Sequence, residues 1–132
     1  MKMIGNLFRE LDFTVEKQDA GNVRCHAQLT PIMDCSILKA HFPGQPIVPG
    51  ACLVAVVGEL VNKALKTGMP TRTWALQMQL KTIKNIKFIS LIEPREDGII
   101  IFDINIDTQT YKTKVLVDFD GKACCKMSLS YQ

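Results

Sequence analysis

His41-Phe42-Pro43-Gly44-Gln45-Pro46-Ile47-Val48-Pro49-Gly50 runs without a break into Ala51-Cys52-Leu53-Val54-Ala55-Val56-Val57, and the fold is read from this junction. Each proline fixes its own φ and steers the residue before it out of the helical region, so the chain around His41 has few shapes available. From Ala51 an apolar run continues to Lys63, Lys66, Gly68 and Pro70, which are helix stop signals. About seventeen helical residues span roughly 25 Å. The first two turns are apolar on every side, and such a helix has to be surrounded by protein.

The flanking segments supply the wrapping. Asp12 to Lys17 and Asn22 to Thr30 read as strands around a turn at Gln18–Asn22, preceded by a short amphipathic segment from Ile4 to Leu11. Trp74 to Ser90 is strand-like, Gly98 to Asp107 alternates, and Tyr111 to Phe119 joins Lys122 to Tyr131 through an Asp120-Gly121 turn. Two strands, one buried helix and three or four long strands make an α+β pattern, a single antiparallel sheet wrapped around one long central helix. With 132 residues the chain fits one domain, 1–132, and no repeat or low-complexity tract divides it.

No apolar run approaches membrane-spanning length, and charge interrupts the N-terminus before a signal-peptide core forms, which points to a soluble, cytoplasmic protein. The five cysteines are odd in number and lack metal-type CxxC spacing, so they read as reduced core thiols, with no metal or cofactor expected. A net charge of +3 is too mild for a nucleic-acid-binding face but suits an acidic partner. A helix starting just after Gly50 aims free N–H groups and the positive end of its dipole back at the His41 loop, placing a base and an oxyanion donor in one pocket.

His-Phe-Pro-Gly-x-Pro-x-x-Pro-Gly at His41 to Gly50 resembles the signature of the hot-dog-fold (3R)-hydroxyacyl-acyl-carrier-protein dehydratases of fatty acid synthesis. Lys87-Phe88, Pro94 and Asp120-Gly121-Lys122-Ala123 extend the similarity over most of the chain. The resemblance implies a hot-dog homodimer, or a higher oligomer, with substrate tunnels between protomers. It also implies a thioester substrate carried on the phosphopantetheine arm of an acyl carrier protein. By resemblance His41 is the catalytic histidine and the Gly50 N–H polarises the thioester carbonyl. The family's second catalytic group, an acid fourteen residues after the histidine and contributed across the interface, falls at Ala55. One turn on, Glu59 shares the helix face of residue 55 and is the candidate displaced acid, an ordinary ion pair with Lys63 being the alternative.

Phe42, Val48, Pro49, Cys52 and Phe88 are expected to line the substrate site, and Lys87 to meet the carrier protein. On an unbroken strand Lys81 and Lys87 share a face while Lys84 points away, unless a bulge intervenes. His26, on an alternating strand between Cys25 and Ala27, reads as structural. A neutral imidazole suits removal of a C2 proton, and departure of the C3 hydroxyl needs an acid. The expected activity is dehydration of 3-hydroxyacyl thioesters to trans-2-enoyl thioesters. A hot-dog thioesterase and a catalytically degenerate carrier-binding subunit are the competing functions.

Overall fold

A computed structural model describes residues 2–18, 21–40, 44–70 and 77–132. Its strands are β1 (Phe8–Lys17), β2 (Asn22–Pro31), β3 (Leu80–Phe88), β4 (Ile100–Asp107), β5 (Lys112–Phe119) and β6 (Lys122–Tyr131). The helices are a short α1 (Ser36–Ala40) and the long α2 (Gly50–Gly68). All strand pairings are antiparallel in one six-stranded sheet of order β1-β2-β4-β5-β6-β3, which leaves β1 and β3 as edges. This is the expected hot-dog arrangement of a curved sheet around a central helix.

The period-2 alternation of the long strands sets which face meets the helix. Ile100, Phe102, Ile104 and Ile106 of β4 are wholly buried, as are Val23, Cys25, Ala27 and Leu29 of β2, and the intervening residues point outward. Helix α2 answers with Leu53, Val56, Val57, Leu60, Val61, Ala64 and Leu65, a stripe at the spacing of one helix face. Asp120 and Gly121 both adopt positive φ, 54° and 74°, so the β5–β6 connection is the two-residue hairpin that Asp-Gly encodes.

Three expectations are corrected and one element is added. The segment Ile4 to Leu11 is not a separate amphipathic element, because β1 begins at Phe8 and pairs with β2 from Phe8↔Pro31 onward. Helix α1 went unread because five residues are too short for periodicity to show. The third strand begins at Leu80 among the described residues; Trp74 to Leu76 of the expected strand lie outside them. Finally, α2 is not wrapped on all sides. Ala51 and Ala55 are exposed, since a single sheet covers only one side of a helix. Among the described residues, no helix is long and apolar enough to cross a membrane.

Leu60, fully buried beneath the sheet, is the midpoint of this packing. Leu60→Ala is expected to cost about 2–5 kcal/mol in denaturant unfolding, whereas Ala55→Ser on the bare face stays within about 0.5 kcal/mol.

Candidate active site

Pro49 closes the proline loop in an extended conformation, φ −63° and ψ 141°, so α2 starts at Gly50 with no side chain capping its first turn. The first hydrogen bonds of the helix run from Cys52 and Leu53 N–H to the Pro49 carbonyl at 3.0 and 3.4 Å. The N–H groups of Gly50 and Ala51 therefore have no acceptor within the helix, and the dipole adds positive potential there. Val48 anchors the loop from behind: it is buried in the core and its N–H donates to the Ile92 carbonyl at 3.0 Å.

Phe88, from the far end of β3, lies directly on Gly50. A Cβ at position 50 would sit 2.6 Å from the tip of the Phe88 ring, so glycine lets the ring rest here and any other residue has to displace it. The ring is nonetheless 57% exposed, as if half of a pocket wall. Two segments singled out separately in the sequence, the helix tip and Lys87-Phe88, thus meet at one point. Pro49 and Cys52 border it, half-buried. Burial first, and then neighbouring Cys35, push the Cys52 thiol up, so it stays protonated and is no nucleophile. All five cysteines are free. His41 and Phe42 lie outside the described residues.

The bare face of α2 borders a cavity of about 800 Å³, walled by Val54, Ala55, Gly58, Glu59 and Asn62 on the helix and by Met78, Leu80 and Tyr131 opposite. Its helical wall continues to Lys66, about 18 Å along the axis from Val54. Ala55 opens into it. Glu59 does too, but its carboxylate is engaged, accepting the Met3 N–H at 2.7 Å and the Ile4 N–H at 3.1 Å. The alternative Glu59–Lys63 pair does not form. Lys63 reaches Glu10 on β1 at 2.6 Å instead, passing over the Phe13 ring.

Sequence reasoning missed two residues of this cavity. Asn62 clasps the segment entering β3, accepting the Met78 N–H at 2.7 Å and donating to the carbonyls of Met78 and Gly58 at 3.1 and 2.9 Å. Its place seven residues after Ala55, on the same helix face, was the available clue. Tyr131 is 4% exposed, its phenolic oxygen has no hydrogen-bond partner among the described residues, and burial pushes its pKa up to about 12, leaving it a neutral O–H. Alternation along β6 already turned it inward.

The lysines divide differently from an unbroken strand. Bulges at Lys81 and Lys84 interrupt the β3–β6 register and turn both toward an outer-face cavity that Lys112 and Lys114 also line. Lys87 stands apart, opposite Lys126. His26 finds a partner in Asp103 across β2 and β4 at 2.9 Å, on the outer sheet face away from the cavity. Among the described residues no cluster of three or more His, Cys, Asp or Glu side chains is arranged to hold a metal.

A single antiparallel sheet rolled around one central helix is the hot-dog fold. The chain belongs to the ApeI-like dehydratase family, whose model matches residues 15–128. An uncharacterized protein from Erwinia carotovora subsp. atroseptica shares the fold at a TM-score of 0.72 and 19% identity, covering 96% of each chain. The dehydratase heterocomplex ApeI:P from Xenorhabdus doucetiae aligns at a TM-score of 0.67 and 20% identity, covering 93% of this chain and 96% of that one. An inactive mutant of the CurK dehydratase aligns at 0.51 and 10% identity, with 96% of this chain spanning 43% of it. No curated protein matches the chain.

The Gly50–Phe88 contact is directly testable. Gly50→Ala is expected to destabilise by about 1–3 kcal/mol through overpacking, and Phe88→Ala in the same chain should recover most of that loss in denaturant unfolding. Additive losses would show that the two residues do not touch.

Proposed function

We propose that the protein dehydrates (3R)-hydroxyacyl thioesters presented by an acyl carrier protein, giving trans-2-enoyl thioesters. Family membership supports dehydration. The observation that carries the site assignment is the Phe88 ring resting on the Gly50 backbone at an uncapped helix start, nine residues after His41 in the sequence. In this reading the Gly50 N–H donates to the thioester oxygen as negative charge grows on it, and neutral His41 takes the C2 proton. The C3–O bond then breaks, and the departing hydroxide takes from the His41 imidazolium the proton that came from C2, leaving as water and returning the imidazole to its neutral form. Phe42, Pro49, Cys52 and Phe88 border the acyl chain, with Val48 bracing the loop. Glu59 is the carboxylate one helical turn from Ala55, where the resemblance puts the family acid, and Lys87 faces the acidic carrier.

The site is half of a larger one. The edge strand β3 has no buried residue, and Leu80, Ile83 and Phe88 on it, with Ile89 and Leu91 just beyond, are exposed apolar side chains. An open apolar edge of this length is a pairing surface. Its occupant in this proposal is a second hot-dog subunit, β3 against β3, which would also cover the bare face of α2. Two-fold pairing centred near Lys84 sets Lys81 against Lys87, and like charges directly opposite each other destabilise a ladder. A partner with acids on its edge therefore fits better than a second copy. ApeI:P, a structural neighbour, is itself a dehydratase heterocomplex.

Two outcomes are expected. His41→Ala abolishes enoyl thioester formation from a 3-hydroxyacyl carrier substrate; undiminished turnover in that variant overturns the assignment, and release of free thiol by the unaltered protein marks a thioesterase. In native mass spectrometry, the Lys84→Glu variant mixed with unaltered protein forms mixed pairs in preference to either self-pair. Random mixing contradicts pairing along β3.

A further inference from the structure

A second cavity, of about 590 Å³, lies on the outer face of the sheet, and its floor is β6. Ser128 and Ser130 point outward there, between inward Met127, Leu129 and Tyr131. On one side Lys114 of β5 pairs with Ser128, and Lys112 with Ser130. On the other side the bulged residues of β3, Lys84 and Lys81, line the cavity beside the Asn85↔Ser128 and Thr82↔Ser130 pairs. Each serine is thus flanked by two lysines whose strands are about 10 Å apart, and the two rows lie about 7 Å apart along the sheet. On an unbroken strand Lys81 and Lys84 would point to opposite faces, so the two bulges are what bring both here.

Four ammonium groups line this cavity against one carboxylate, Asp107, which accepts the Gln109 and Thr110 N–H groups at 2.9 and 3.4 Å. None of the four lysines is ion-paired with a described carboxylate. Bringing four like charges this close costs stability, which an anion between them restores. Ammonium and hydroxyl donors far outnumber free acceptors, so the complementary ligand is anionic and rich in oxygen. A protein partner would need an apolar anchor, and Leu129, the one apolar residue among those described in the lining, turns inward at 3% exposure. A second copy would set lysines against lysines. The volume suits a small molecule.

We infer that this trough binds a small soluble bisphosphate, one phosphate over Ser128 between Lys84 and Lys114, the other over Ser130 between Lys81 and Lys112. Lysine is a compact charge on a flexible stem, so stems from opposite walls can close on one phosphate while the serine hydroxyl beneath donates a further bond. The trough lies on the face of the sheet away from the cavity at Ala55, and the inference does not rest on the dehydratase reading.

Calorimetry on the full chain at low salt tests this with 1,3-propanediol bisphosphate, whose three-carbon chain lets its phosphates reach both rows, against propyl phosphate. The bisphosphate should bind more tightly by about 10-fold or more. Lys112→Gln with Lys114→Gln strips the β5 wall, two strands in from the open edge of β3. That pair should weaken the bisphosphate by about 10-fold or more, while the thermal midpoint without ligand holds or rises as repulsion is relieved. Ser130→Asp, which sets a carboxylate among the lysines, is a second route to the same loss. Lys17→Gln with Lys39→Gln removes the same charge from exposed positions elsewhere and should leave binding unchanged. Equal affinity for the two phosphates, equal weakening by both lysine pairs, or binding to phosphatidylglycerol vesicles without binding to the bisphosphate overturns the inference.

Discussion

The sheet buries one stripe of helix α2, from Leu53 to Leu65, and leaves Ala51 and Ala55 bare. That one-sided burial is the constraint from which the rest follows. The buried stripe fixes the rotation of the helix against the sheet, because each side chain on it interdigitates with inward residues of β2 and β4. Once rotation is fixed, the opposite face has to present Ala55, Glu59 and Asn62 to the space beside β3. The cavity is thus a by-product of core packing, and its chemistry is set by the few residues that core packing does not use.

The helix tip is set by a second, smaller constraint. Extended Pro49 stops the loop, Gly50 starts the helix, and Phe88 occupies the volume where any other side chain would be. Two uncapped N–H groups, a positive dipole end and an aromatic wall meet there with no charged side chain needed. Such a site costs little to keep ready, because the donors are backbone atoms held by the helix and do not reorganise when charge develops.

Much of this was legible in the sequence, and unevenly. Alternation along Ile100–Asp107 and the Asp120-Gly121 turn gave the long strands, since side-chain period and turn chemistry are local properties. The proline-rich run marked the candidate site, since its backbone restriction is also local. What stayed hidden was relational. Nothing local pairs Asn62 with Met78, Glu59 with the Met3 and Ile4 N–H groups, or His26 with Asp103, because each joins segments distant along the chain. The bulges at Lys81 and Lys84 were equally hidden, since an extra residue in one strand is defined only against its partner. The expectation of a fully wrapped helix failed for a related reason: apolarity says a face will be covered but not that the same chain covers it.

The account treats the bare face of α2 and the open edge of β3 as two sides of one incomplete site. Hydrogen exchange on the assembled protein tests that most directly, by comparing β3 amides at low and high protein concentration, or with and without the second subunit. The account predicts that amides of Leu80–Phe88 not bonded to β6 become protected as assembly proceeds, together with the first turns of α2. Free exchange along β3 in a protein that is assembled and dehydrating its substrate would contradict it.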